Sequence, residues 1–203
     1  MKKRKGISLP KALRQQSLSY SSSAVIRRAR EFPLRECWIS TDWREEDPGL
    51  VQILVARQQP DENVCFGVYL VDKLCLGLKN TFARANSTPA RYQQEVQRIF
   101  EETESETCSP ELAHQMIYEA IDYAAKFGFT PHKDFELAQY LLAPRSEIHA
   151  PYKLHFGQKG KKGKPLYVAG PHDNVAEILQ QLERAAGPGK YDYVVMPPPD
   201  MFF

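Results

Sequence analysis

The chain contains no hydrophobic run that approaches the roughly 18 to 20 residues needed to cross a bilayer. Its N-terminal stretch, MKKRKGISLPKALRQQ, begins with positive charge but has no apolar segment behind it. We therefore expect neither a transmembrane helix nor a secretory signal. The sequence predicts a soluble cytoplasmic protein without a membrane partner.

Close pairs of metal ligands are also missing. Cys37, Cys65, Cys75 and Cys108 are separated by 28, 10 and 33 residues, and the five histidines show no HxH or HxxxH spacing. A zinc site needs such close pairs. We therefore predict reduced, buried thiols and no metal or other cofactor. The chain likewise lacks a nucleophile elbow, a dinucleotide-binding fingerprint and the motif set of protein kinases.

Acidic residues are absent from the first 30 positions. That segment carries nine of the 27 basic residues, so the remaining 173 positions hold 18 basic and 25 acidic side chains, a difference of −7. A +9 segment on a −7 body indicates a polyanionic partner for the segment, or a segment that lies along an acidic surface. We divide the chain into a basic N-terminal arm (1–31) and a single domain (32–203). The basic residues of the arm are Lys2, Lys3, Arg4, Lys5, Lys11, Arg14, Arg27, Arg28 and Arg30.

The stretch from Val64 to Asn80, VCFGVYLVDKLCLGLKN, predicts the centre of the fold. Its first half is apolar and rich in β-formers, as in a strand buried on both faces. LVQILVAR (50–57) precedes it across the turn-forming set QQPDEN, so an antiparallel hairpin is predicted. KLCLGLKNTFARAN (73–86) has helical spacing, although Gly77 could instead permit a close backbone approach.

Proline and cap signals predict further helices, beginning near Thr88-Pro89, Ser109-Pro110, Asp134 and Asn174. YKLHF (152–156) and PLYVA (165–169) predict a second hairpin, and YDYVVM (191–196) predicts a last strand. Hairpins that alternate with a helical block favour an α+β fold. We expect a mainly antiparallel sheet built from two hairpins and packed by four to five helices.

Lysines and glycines alternate in the loop GQKGKKGK (157–164) of the second hairpin. Glycines allow close backbone approach to a phosphate, and lysines supply charge. The loop does not match the phosphate-binding loop of nucleotide hydrolases, which runs into a helix. Phosphate contact and a solvated hairpin tip both remain open. Its lysines are Lys159, Lys161, Lys162 and Lys164.

Five side chains are candidates for catalysis if the protein is an enzyme. Asp72 follows a buried strand, as carboxylates do in magnesium-dependent nucleases of the ribonuclease H type. Such a site needs partner carboxylates, for which Asp134 and Asp173 are available among these five and Asp42 is a further acidic residue, with His132 or His172 as acid or base. Each also has a structural explanation, because Asp72 can end a strand and Gly170 to Asn174 can form a turn and a helix cap.

The segments FGVYLVD with CLGLKN, GFTPHKDF, and GKPLYVAGPHDN together resemble a family of uncharacterised bacterial proteins. The family pattern has an apolar FLVD strand, a CLGVK segment, a GFxPHxDF segment and a GKPxYxxGPxD segment. The resemblance covers roughly Cys37 to Leu182. It implies a bacterial, cytoplasmic protein and no catalytic residue, and the basic arm lies outside it.

Three functions follow as hypotheses. The first is a non-catalytic, nucleic-acid-associated accessory protein whose arm and lysine loop bind the phosphate backbone of RNA or DNA. Its expected setting is a subunit of a bacterial ribonucleoprotein, mobile-element or defence complex. The second is a magnesium-dependent nuclease or hydrolase that uses Asp72 with Asp134 or Asp173. The third is a protein-interaction module that docks through its C-terminal tail, where Met201, Phe202 and Phe203 are apolar.

Overall fold

The computed structural model describes residues 21–45, 49–161 and 163–195. A five-stranded antiparallel sheet forms its centre, with the spatial strand order β4-β3-β2-β1-β5. The predicted α+β class with a mainly antiparallel sheet is confirmed. The strands are β1 (Leu34–Ser40), β2 (Leu50–Gln58), β3 (Val64–Asp72), β4 (Gly77–Ser87) and β5 (Ser105–Thr107).

The described residues form five α-helices. Three of them begin at cap residues that the sequence indicates, because the side-chain oxygens of Thr88, Ser109 and Asn174 accept from the backbone amides of Arg91, Leu112 and Glu177 respectively. No helix in the described ranges is long and apolar enough to cross a membrane. The helices are α1 (Ser22–Arg27), α2 (Pro89–Ile99), α3 (Pro110–Ala125), α4 (Phe135–Ala138) and α5 (Val175–Ala186).

The predicted hairpin of β2 and β3 is confirmed, and both strands are buried on their two faces. Ile53 and Val55 point to one face and pack with α3, whereas Leu54 and Ala56 point to the other and pack with α2. This alternation follows from the two-residue period of a strand. Helices therefore cover both sides of the central strands, which explains their near-continuous apolar sequence.

The prediction of a helix over residues 73–86 is wrong, because Gly77–Ser87 forms β4 alongside β3. The carboxylate of Asp72 accepts hydrogen bonds from the amides of Leu74 (2.8 Å) and Cys75 (3.0 Å), which closes a tight turn. Gly77 completes the turn at φ +67°, and a Cβ there would lie 2.6 Å from the carbonyl oxygen of Ala120. The close backbone approach that Gly77 suggested is thus confirmed.

The second predicted hairpin is also wrong. Residues 152–156 form no strand, and Leu166–Val168 (β6) pairs in parallel with Asp192–Val194 (β7) instead. The alternating side chains Tyr152, Leu154 and Phe156 pack against the core beside α3 without a strand partner. The alternation of apolar and polar residues in 152–156 therefore marks a half-buried extended segment. Such a segment can show this pattern without hydrogen bonding to a neighbouring strand.

The described part of the predicted arm packs on the domain. Ile26 and Ala29 are fully buried against Cys65 and Leu141. Burial of these side chains fixes α1 and the 3₁₀ turn Ala29–Glu31 on the sheet. The arm residues up to position 20 lie outside the described residues.

Candidate nucleic-acid interface

The described residues of the lysine loop, 157–161, 163 and 164, are held by backbone hydrogen bonds. The amide of Gly157, at φ +77°, donates to the carbonyl of Lys73 (2.8 Å), and the amide of Gln158 donates to the carbonyl of Lys164 (2.9 Å). The phenol of Tyr123 donates to the carbonyl of Gly163 (3.1 Å). These bonds connect the loop to the turn after β3 and to α3, so its lysines project from a fixed base.

Two lysines of the loop share one carboxylate. Lys161 and Lys164 place their ammonium groups 2.9 and 2.6 Å from the carboxylate oxygens of Asp192. Hydrogen bonds from Lys161 and Lys164 hold the pKa of Asp192 well below its usual range. Two positive charges on one negative charge leave an excess of positive charge at this position. Lys159 is exposed, and Lys162 lies outside the described residues.

An open cleft of about 940 Å³ lies beside the loop. Lysines reach it from three separate parts of the chain: Lys126 from the end of α3, Lys161 and Lys164 from the loop, and Lys190 from the turn after α5. We call it the lysine cleft. Two acidic residues, Glu119 and Asp122, also line it, and Asp122 forms an ion pair with Arg145. The cleft is therefore basic without being uniformly so.

Aromatic rings form part of the wall of the lysine cleft. Tyr123 stacks on Phe156 with ring centroids 5.7 Å apart, and it meets Phe127 edge-on at 5.4 Å. Lys126 lies over the Tyr123 ring, 5.8 Å from its centroid. Tyr123 is buried, whereas Phe127 and Phe156 are half-buried. Basic groups and rings therefore face one space.

A second pocket, of about 370 Å³, shares residues 154–156 and Gly163 with the lysine cleft. Lys153 and Lys159 line it together with Lys73, whose side chain is buried. The ammonium of Lys73 donates to the carbonyls of Trp43 (2.9 Å) and Glu45 (3.3 Å), and burial lowers its pKa. Lysines thus line both pockets, although Lys73 is held by the chain itself.

The three arginines of the predicted arm that the structure describes make different contacts. Arg30 donates to the carbonyls of Leu142 (2.9 Å) and Gln139 (3.1 Å), and both Arg27 and Arg30 lie over the ring of Tyr140. Arg28 pairs with Glu31. The bonds of Arg30 hold the 3₁₀ turn against the domain. The other basic arm residues lie outside the described residues: Lys2, Lys3, Arg4, Lys5, Lys11 and Arg14.

Asp72 and Asp173 lie around one lysine. The carboxylate of Asp173 accepts from Lys79 Nζ (2.8 Å), from the amide of Gly170 (2.8 Å) and from the hydroxyl of Tyr167 (3.2 Å). Partial burial acts to raise the pKa of Asp173, but these bonds outweigh it and the pKa is lowered. Asp72 is buried, which raises its pKa, and the charge of Lys79 opposes that shift. Both carboxylates thus have structural partners.

The remaining catalytic candidates lie apart. The Nδ1 atom of His132 accepts from the amide of Asp134 (3.3 Å), and both residues are close to α4. Asp134 stands at the first position before α4 but makes no side-chain cap bond, so the predicted cap there is wrong. His172 is exposed in the turn before α5, where Asn174 caps the helix as predicted. Within the described ranges, no group of three or more His, Cys, Asp or Glu side chains could hold a metal ion.

Sequence reasoning found the loop lysines but missed the residues that complete the cleft. Tyr123, Lys126 and Phe127 have the i, i+3, i+4 spacing that places side chains on one side of a helix. That spacing could have indicated that the two rings and the lysine lie together at the end of α3. Nothing in the local sequence indicates that Lys190 reaches the same space, because its position depends on how α5 packs.

Comparison with protein-family models, with curated proteins and with solved structures finds no match for this chain. The resemblance to a bacterial family therefore remains a prediction, and so does a cytoplasmic location.

Proposed function

We propose that this protein binds the phosphate backbone of RNA or DNA, without catalysis, through the lysine cleft and the basic N-terminal segment. One observation carries the proposal: lysines from three separate parts of the chain converge on one cleft beside aromatic rings. Phosphate contacts by lysine supply most of the affinity of binding that is independent of sequence. A subunit of a bacterial ribonucleoprotein, mobile-element or defence complex is the setting that such a protein would suit.

The described residues of the lysine loop support this function because contacts with the domain hold them in place. Tyr123, Lys73 and Asp192 bond to Gly163, Gly157 and Lys161 respectively. Groups that are held before binding lose less conformational freedom when a ligand arrives, which favours affinity. The carboxylate of Asp192 also holds the ammonium groups of Lys161 and Lys164 close together, and a phosphate oxygen could compete with it for either ammonium group.

The proposal is tested with a variant that removes two cleft charges. Lys126 and Lys190 are exposed and lie on different segments, so Lys126→Ala with Lys190→Ala should fold normally. An exposed lysine–phosphate pair contributes up to about 1 kcal/mol, or roughly fivefold in affinity. We expect the double variant to bind a fluorescent 20-nucleotide RNA about 5 to 25 times more weakly than the unmodified chain, measured by anisotropy.

The matched control removes the same kind of charge from another surface. Arg91 is exposed on α2 and does not line the cleft. Arg91→Ala should change affinity by less than about twofold. Equal losses in the control and the cleft variant, or no binding by the unmodified chain, would remove the basis for the proposal.

The nuclease hypothesis has less support from the geometry. Asp72 caps a turn and Asp173 is bonded to Lys79, while Asp134 lies with His132 near α4. The interaction-module hypothesis has one supporting observation: Tyr193, Val194 and Val195 are exposed just before the C-terminal tail, which itself lies outside the described residues. Nucleic-acid binding remains the proposal that the site supports best.

A further inference from the structure

The aromatic rings of the lysine cleft have no role in simple phosphate contact. The Tyr123 hydroxyl lies 3.2 Å from the carbonyl oxygen of Leu74 and 3.1 Å from that of Gly163, and its one proton is shared between these two acceptors. Phe156 stacks on it with an angle of 25° between the rings. Phe156 is therefore a half-buried ring held in a set orientation, and it lines the same cleft as the lysines.

From this arrangement we infer that the cleft takes single-stranded nucleic acid, with an unpaired base against Phe156 and the flanking phosphates on the lysines. This inference rests on the proposed function and specifies its ligand. A basic groove that follows the backbone, combined with rings on which bases stack, is the usual construction of sites for single strands. Stacking tolerates any base because every base has a π face.

A duplex fits this geometry poorly. The bases of a duplex stack on one another, and a protein reaches their edges by inserting a helix or a β-ribbon into a groove. The basic groups here line a concave space instead, with the rings set in its wall. Only a strand whose bases are unpaired can bring a base to Phe156.

The charges around the rings support the same ligand. Lys126 lies over Tyr123, and His155, next to Phe156 in the chain, is exposed and lines the cleft. Lys161 and Lys164 line the same cleft from the lysine loop, and Glu119 and Asp122 are its acidic members. Ammonium groups from separate segments therefore share the cleft with the rings, so one strand could place a base on a ring and its phosphates on the lysines.

The experiment separates stacking from charge. Phe156→Leu keeps an apolar side chain of similar bulk but removes the ring face, and it should lower the affinity for a single-stranded 20-nucleotide RNA about tenfold. Phosphate contacts stay in place, so the slope of log affinity against log salt concentration should not change. Phe129→Leu is the matched control, because Phe129 is half-buried outside the cleft and should leave affinity unaltered.

A competition assay distinguishes failure of the inference from failure of the proposed function. We expect the single strand to compete at least tenfold better than the duplex of the same sequence. Equal competition by the duplex would overturn the inference but leave phosphate binding intact, whereas no binding by either ligand would overturn the proposed function itself.

Photo-crosslinking gives a second readout if Phe156→Leu proves unstable to heat. Single-stranded RNA that carries 5-iodouridine should crosslink the unmodified protein within residues 123–127 or 154–157. Crosslinks confined to other described segments would contradict the inference even where the affinity is high.

Discussion

Single residues explain how β4 connects the sheet to the C-terminal part of the chain. The pairing of β3 with β4 shifts between Leu70↔Asn80 and Val71↔Leu78, so Lys79 is an extra residue on β4. A bulge of this kind redirects a side chain. Lys79 thereby reaches Asp173. The side chains of Lys79 and Asp173 are only 20% and 10% exposed, and their ion pair joins β4 to the turn before α5.

At the same scale, His114 should make stability depend on pH. It is 6% exposed on α3, its Nε2 atom has no hydrogen-bond partner among the described residues, and burial together with the charge of Arg57 lowers its pKa to about 4. Between pH 6.5 and 4 the unfolded chain binds a proton that the folded chain does not, so stability falls as the pH falls. The difference of about 2.5 pKa units corresponds to roughly 3 kcal/mol.

We expect His114→Gln to reduce this pH dependence. Urea denaturation at pH 7 and pH 4 should show the unmodified chain losing about 3 kcal/mol more than the variant over that range. Both proteins retain the same carboxylates, so the difference between their losses isolates His114. Identical losses would show that His114 binds its proton equally well in the folded chain.

At the scale of elements, the sequence predicted segments that have caps or turn signals of their own. Helices α2 and α3 begin at hydroxyl caps followed by proline, and β2 with β3 has a short turn between apolar runs. Such signals lie within a few residues of the elements that they specify.

The error at β4 concerns a segment with the spacing of a helix, which becomes a strand by pairing with the neighbouring β3. β5 has the sequence SET inside an acidic stretch and is a strand because it pairs with β1. β6 pairs with β7 across the whole of α5, which no local pattern reveals. Prediction of the cleft had the same limit. The sequence indicated the loop lysines, whereas the position of Lys190 in the cleft is known only from the tertiary fold.

The cap of α3 provides a test at this scale. The Ser109 hydroxyl accepts from the amide of Leu112 (3.2 Å) and contacts the hydroxyl of Tyr152 (3.0 Å). Ser109→Ala removes both bonds and should cost about 1 to 2 kcal/mol of stability. Thr88→Ala, which removes only the longer and exposed cap bond of α2 (3.4 Å), should cost less. Chemical denaturation measures the stability lost by each variant. A larger loss for Thr88→Ala than for Ser109→Ala would contradict the stabilising role assigned to Ser109.

For the whole molecule, charge separation is the dominant feature. The first 30 residues carry nine basic and no acidic side chains. Ile26 and Ala29 are buried, so a deletion that keeps these core side chains must stop before them, and one that ends at position 20 does so. That shorter segment still holds six basic residues: Lys2, Lys3, Arg4, Lys5, Lys11 and Arg14.

The salt dependence of RNA affinity, compared between the full chain and a chain lacking residues 1–20, tests the central claim most directly. Each phosphate neutralised on a single strand contributes about 0.7 to the slope of log affinity against log salt concentration. Loss of six basic residues should therefore lower the slope by up to about 4, and the remaining slope should fall by roughly 1 to 1.5 more when Lys126 and Lys190 are replaced by alanine. A slope and an affinity that neither change alters would contradict phosphate binding by the segment and the cleft.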